Sequence, residues 1–263
     1  MCLIAIAWRA HPRWTLALLA NRDEAHARPA APAGYDPEAA AVYGGRDLVQ
    51  GGGWLQARGD GRLAAVTNVR AGLATEVAPH SRGWLVRDFV RGDDKAAAFS
   101  AALGATASRY GRFNLLVHDG RQLYRASNHP AFDAGPVAPG LHAMSNGPFD
   151  AAWPKSVFAT RALQAWLDSP LAEAAWPGVD AIEPLFSALR DTTRAPDAAL
   201  PDTGVGLDLE RMLSPPFVLD PRYGTRCSSV VLVGADGVVF AERRYAADGT
   251  VIGTSMATLS PDS

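Results

Sequence analysis

The sequence predicts an α+β fold in which two packed antiparallel sheets are covered by helices, a four-layer αββα sandwich. Three observations predict it. Runs with strand character are joined by turn pairs such as Asp60-Gly61, Asp119-Gly120, Asp236-Gly237 and Asp248-Gly249, which suit hairpins and not parallel crossovers. Helical periodicity is confined to two blocks, so the order along the chain is strands, helices, strands, helices, strands. A doubly wound sheet would alternate the two element types, whereas hairpins and helix blocks bury their apolar faces most economically as stacked layers.

Cys2 to Trp8 reads as a buried strand, and His11-Pro12-Arg13 turns it into a second apolar run from Trp14 to Ala20. Strands are expected again over Gly53 to Arg58 and Arg62 to Asn68. Ser81 is placed to cap a helix running through Trp84 to Arg91, and a second helical stretch leads from Asp93 to Leu103 before Gly104. Phe113 to Asp119, Arg121 to Ser127 and Leu141 to Ser145 return to strand. Pro154 suits a first helical turn, so a helix is expected from there to Asp168, with another from Ala181 to Arg190. Asp191 to Pro221 is rich in Pro, Asp and Thr and reads as a long loop. Thr225 to Val233, Val238 to Tyr245 and Thr250 to Met256 form a closing meander. No repeat or linker divides the chain, so residues 1–263 are read as a single domain.

The 25 basic and 27 acidic residues leave a formal charge of -2, which gives no basic footprint for nucleic acid. Only Lys95 and Lys155 are lysines, a bias that fits a GC-rich bacterial coding sequence. The apolar start lacks a basic n-region and is broken at Trp8-Arg9-Ala10-His11, and no stretch approaches the ~20 apolar residues of a membrane helix. A cytoplasmic protein without an integral membrane segment is expected. Cys2 and Cys227 do not make a disulfide framework. His80, His118, His129 and His142 lack metal-ligand spacing, so no metal site is expected. Gly51-Gly52-Gly53 lacks the Lys-Ser/Thr of a phosphate loop and is expected to permit a turn or close packing beside Trp54. Cys227, in an apolar strand, reads as a core thiol.

Position 2 carries the most chemistry. Removal of Met1 would leave a thiol and a free α-amine on Cys2, and an α-amine with a reference pKa of about 7.7–8.0 can take the thiol proton directly or through water. The thiol itself starts near pKa ~8.5 and needs only a modest shift to become a nucleophile. Asn21-Arg22-Asp23-Glu24 follows the second apolar run. With the first hairpin in register, Asp23 comes toward the Cys2 amine and could hold it.

Met1-Cys2-Leu3-Ile4, Asn21-Arg22-Asp23-Glu24, Gly53-Trp54-Leu55, Thr67-Asn68-Val69-Arg70, Phe113-Asn114-Leu115-Leu116, Ser145-Asn146-Gly147, Trp153-Pro154-Lys155 and Tyr223-Gly224-Thr225-Arg226 keep an order that covers nearly the whole chain. Together they resemble the NRDE family, called the transport and Golgi organisation protein 2 family in animals. That resemblance implies links to Golgi organisation, haem mobilisation or lipid metabolism, and so a small amphipathic ligand such as an acyl amide, haem or a lipid.

The same segments more distantly resemble the choloylglycine hydrolase and penicillin V acylase group of N-terminal-nucleophile (Ntn) cysteine hydrolases, which implies the Ntn-hydrolase layering. That likeness implies catalytic roles for Cys2 as nucleophile, Asp23 as the partner of its amine, Asn68 and Asn146 as oxyanion donors, and Arg226 as the cation that favours the thiolate. Asn21, Arg22, Glu24 and Arg70 would support the site. The chain has Ala20 where those amidases carry arginine, with Arg22 two places on. The expected activity is hydrolysis of a C–N or related acyl bond, without a cofactor. The alternative is a non-catalytic binding or trafficking protein for haem or an acyl or lipid ligand on the same scaffold.

Overall fold

A computed structural model describes residues 2–73, 76–173 and 177–261. The first half contains strands β1 (Cys2–Trp8), β2 (Trp14–Ala25), β3 (Ala30–Asp36), β4 (Ala39–Asp47), β5 (Leu55–Arg58) and β6 (Arg62–Asn68), then helices α1 (Arg82–Arg91) and α2 (Ala96–Ala102). Strands β7 (Phe113–Asp119), β8 (Leu123–Ser127), β9 (Asp133–Pro136) and β10 (Gly140–Met144) follow, then helices α3 (Pro154–Leu167), α4 (Val179–Leu189) and α5 (Leu207–Met212). The chain closes with β11 (Tyr223–Gly234), β12 (Gly237–Tyr245) and β13 (Val251–Leu259).

One sheet has the order β10-β1-β2-β11-β12-β13 and the other β3-β4-β5-β6-β7-β8-β9. Alternation along β1 and β2 separates two apolar faces. Ile4, Ile6, Leu16 and Leu18 join Leu55, Leu63 and Leu116 between the sheets. Leu3, Ala5, Ala17 and Leu19 point the other way, onto Leu163 and Trp166 of α3 and Leu185 and Phe186 of α4. Leu115 and Val117 of β7 pack beneath Leu85, Val86 and Phe89 of α1. Three apolar layers therefore hold four layers of structure, the αββα sandwich expected of an Ntn hydrolase. Each large side chain so enclosed contributes about 1.5–3 kcal/mol.

Differences from the sequence reading have local causes. β2 continues through Asn21-Arg22-Asp23-Glu24 to Ala25, because β11 pairs along it as far as Tyr223↔Ala25. The four polar residues thus lie inside a strand and not beyond its end. The β3–β4 hairpin escaped detection because Pro32, Gly34 and the alanines of Ala39–Asp47 mask any alternation. Within the expected 191–221 loop, α5 forms around the buried Glu210. Its six residues are too few to show an apolar stripe.

Candidate functional site

The first hairpin sets the geometry. Cys2 pairs with Arg22, and Ile4 pairs with Ala20. Because side chains alternate along a strand, Cys2, Ala20 and Arg22 project from the same face, toward the opposite sheet. Arg22 therefore stands on the same side of the sheet as Ala20, one pleat nearer the chain terminus. Asp23 projects from the reverse face, on the same side as Leu19 and Asn21.

Cys2 is half-buried and helps line a cavity of about 350 Å³. Arg22, Asp23, Glu24, Trp54, Asn68 and Arg82 are among the other lining residues. Burial pushes the Cys2 thiol above its ordinary range, and the Asp23 carboxylate adds to the rise. Arg22 and the backbone N–H of Asp23 act in the opposite sense by favouring the thiolate. The Arg22 guanidinium lies 4.3 Å from the Trp54 ring centroid and 3.7 Å from Glu24.

Asp23 is almost fully enclosed. Its Oδ1 accepts a 2.7 Å hydrogen bond from the Thr225 hydroxyl, and its carbonyl accepts one of 2.9 Å from the Tyr223 hydroxyl. Both partners belong to β11, so the strand pairing that extends β2 also fixes the carboxylate. Burial raises the Asp23 carboxyl above its usual range, while Lys155, Thr225 and Arg22 oppose the shift.

The Trp153-Pro154-Lys155 motif assigns Lys155 no role from sequence. It is buried at the start of α3, where its Nζ donates to the Leu213 carbonyl at 3.2 Å. Burial lowers its pKa and Asp23 counters this, so Lys155 is a buried cation on the Asp23 side of the sheet. A lysine in the first helical turn, next to a motif proline, was the available signal.

The segment after β10 stitches the two sheets together at this end. Ser145 Oγ donates to the Cys2 carbonyl at 2.8 Å, and the Ser145 carbonyl accepts from Thr67 Oγ1 at 2.5 Å and Asn114 Nδ2 at 3.2 Å. Asn146 Nδ2 donates to the Asn68 carbonyl at 2.9 Å and to Asn68 Oδ1 at 3.1 Å. With its oxygen accepting from Asn146, the Asn68 amide keeps its own N–H groups for the cavity. Asn146 is fully buried and outside the cavity lining, so its contact is with Asn68.

The remaining expected residues divide between the cavity and its frame. Glu24 lines the cavity, and its Oε1 accepts from the Ala25 N–H at 2.9 Å. Asn21 is fully buried, donating to the Leu189 and Pro216 carbonyls and accepting from the Ser228 hydroxyl. Arg70 lies behind the site, hydrogen-bonded to Glu210 and Thr203. Arg226, at the bulge of β11, donates to the carbonyls of Ala25, His26 and Arg28 and does not line the cavity. Arg22 and Arg82 line the cavity with Cys2, as does Arg28, which is paired with Asp47. Sequence reasoning missed Arg82, whose only signal was its place after the Ser81 cap.

Cys227 also pairs with Arg22, from the other side of β2. Two strand spacings, about 10 Å, separate it from Cys2, beyond disulfide reach. Burial pushes its thiol well above the ordinary range. No group of metal-binding side chains occurs among the described residues. No helix of the described residues is long and apolar enough to cross a membrane.

Comparison with known proteins agrees with this framework. A conjugated bile acid hydrolase mutant from Clostridium perfringens superposes with a TM-score of 0.53 at 6% identity, over 98% of this chain and 92% of that one. At that identity the likeness concerns the fold. A bovine and a human transport and Golgi organization protein 2 homolog are each 30% identical to the chain, over 92% of both partners. The family model described as transport and Golgi organisation 2 matches residues 1–247, and the chain belongs to that family.

Proposed function

We propose that the chain is an N-terminal cysteine hydrolase that cleaves a C–N bond of a small molecule once Met1 has been removed. The observation that supports this most is Cys2 on the wall of a cavity, facing Arg22, with the buried Asp23 carboxylate behind its backbone. In the proposed reaction the Cys2 sulfur attacks the amide carbonyl as the α-amine takes the thiol proton. Asn68 donates to the developing oxyanion. The C–N bond then breaks, the amine departs with that proton, and water attacks the thioester to release a carboxylic acid and restore the thiol. Asp23 orients the ammonium form of the amine, and Asn146 orients Asn68. A cytoplasmic setting belongs to the same proposal, since the thiol must stay reduced.

A second reading draws on one observation. Burial raises the Cys2 thiol, which favours a ligand-binding cavity without turnover. Hydrolysis of a panel of small N-acyl amides separates the two. The proposal expects turnover that falls more than about 10³-fold in Cys2→Ala, with a thioester adduct at Cys2 trapped by acid quenching. Turnover unchanged in Cys2→Ala would refute it, as would binding of these amides with no hydrolysis at any pH between 5 and 9.

A further inference from the structure

We infer that the cavity beside Cys2 contains a carboxylate subsite formed by Arg22, Arg82 and the N-terminus of α1, so that its ligand is a small carboxylate-bearing amide. The inference rests on the hydrolase reading for the word substrate, but its binding content stands on the cavity itself.

Hydrogen-bonding capacity on the two sides of the cavity is unequal. Four carboxylates line the cavity, Asp23, Glu24, Asp47 and Glu76, and each accepts a hydrogen bond from the surrounding frame, Asp23 from Thr225. Asp47 takes two hydrogen bonds from Arg28, at 3.1 and 2.6 Å. Glu76 accepts from the Arg112 N–H and guanidinium, and Glu24 from the Ala25 N–H. The donors are not used in the same way. Arg22 has 7% of its surface exposed, yet its guanidinium makes no hydrogen bond among the described residues. Its nearest carboxylate, Glu24, is 3.7 Å away, beyond hydrogen-bond distance. The guanidinium lies over the Trp54 ring, 4.3 Å from its centroid, and both side chains line the cavity.

Arg82 directs one donor at the Arg112 carbonyl, 3.0 Å away, and approaches Glu76 at 3.6 Å. Burial lowers its pKa, and the nearby Glu76 and Glu24 carboxylates only partly oppose that shift. Ser81, Arg82 and Gly83 also line the cavity, so the first turn of the ten-residue α1 brings its positive dipole end to the same place. With the carboxylates of the wall turned to Thr225, Ala25, Arg28 and Arg112, the Arg22 guanidinium is left for an acceptor brought by a ligand. A planar carboxylate suits the fork of Arg22, which can donate two parallel bonds to it.

Size and polarity narrow the class. About 350 Å³ is near the small end for ligand sites, and Trp54 and Val66 are the large apolar side chains in the wall. A long acyl chain would find little apolar surface there, and among the described residues the lining offers haem iron only the Cys2 sulfur as a side-chain ligand of the usual kind. A short N-acyl amino acid matches the cavity in charge, polarity and volume.

Calorimetric titration of the intact protein with N-acetylglycine and with its neutral counterpart N-acetylglycinamide tests the inference. The carboxylate is expected to bind at least about tenfold more tightly. Arg22→Gln and the more exposed Arg82→Gln should each remove most of that preference, whereas Arg87→Gln, outside the cavity, should keep it. Equal affinity for the two compounds would overturn the inference, as would an intact preference in both cavity variants. Inorganic phosphate binding that N-acetylglycine does not displace would overturn the carboxylate assignment. A carboxylate preference without hydrolysis would uphold the subsite and refute the hydrolase reading, whereas hydrolysis restricted to neutral amides would do the reverse.

Discussion

Removing the Arg70 guanidinium tests whether the charges behind the site hold its frame. Glu210 is 3% exposed and accepts from Arg70, from the Thr203 N–H at 2.9 Å and from the Thr203 hydroxyl at 2.5 Å. The backbone N–H of Arg70 also donates to the Asn146 carbonyl at 2.8 Å, so the ion pair joins α5 to the segment that orients Asn68. Arg70→Met would leave the Glu210 charge buried with two neutral donors. Breaking a buried pair from one side costs about 3–5 kcal/mol, a large share of the roughly 5–15 kcal/mol that stabilises an ordinary domain. For a chain of this size the midpoint of thermal unfolding should fall by on the order of 10 °C. Glu210→Gln in the Arg70→Met background should recover more than half of the loss, because the stranded charge is then absent. Urea unfolding of wild type, both single variants and the double variant gives the coupling directly. A loss below about 1 kcal/mol in Arg70→Met, or additive single losses, would refute this account of the pair.

The other predictions concern pH, packing and the thiol. The Asp150 carboxylate, accepting a hydrogen bond from His142 Nδ1, raises the His142 pKa above its ordinary value. The resulting stability is full below the unfolded-state pKa of about 6.5 and is lost as pH rises through the higher folded value. His142→Gln should flatten the fall in stability above pH 6.5, and an unchanged pH profile by urea titration would contradict this. Gly52 has a φ of +85°, and a Cβ there would meet the Gly83 carbonyl oxygen at 2.3 Å. Gly52→Ala should therefore destabilise the fold by about 1–3 kcal/mol and loosen α1 from the cavity, read by urea unfolding and by hydrogen exchange at the helix start. Arg22→Gln removes a cation that favours the Cys2 thiolate, so the midpoint of iodoacetamide alkylation against pH should move upward. A downward shift would show that Arg22 does not act on the thiol.

Much of the framework was legible because alternation and turn chemistry are local. Cys2 to Trp8, the Asp-Gly hairpins and the Ser81 cap each declare themselves within a few residues, and the structure has them as β1, the β11–β12 hairpin and the start of α1. What escaped depends on pairing between distant segments. The polar Asn21-Arg22-Asp23-Glu24 looks like the end of a strand until β11 is laid beside it, and the alanine-rich β3–β4 hairpin has no alternation to detect. The candidate site divides in the same way. Cys2 and Asp23 follow from hairpin register, and the motif resemblance selected Asn68. Lys155 and Arg82 reach Asp23 and Cys2 only through packing of α3 and α1 on opposite faces of the sandwich. Arg226 shows the converse, since its place in the motif predicts a role at the nucleophile while a bulge turns it toward the carbonyls of the 25–28 loop.

The most direct test of the central claim is the mass and labelling pattern of the purified protein's N-terminal peptide. Cys2 as the first residue, with iodoacetamide modifying it before Cys227, is the predicted result. Retained Met1 would tie the Cys2 α-amine in a peptide bond, leave the thiol without its own base, and contradict the assignment of Cys2 as an N-terminal nucleophile.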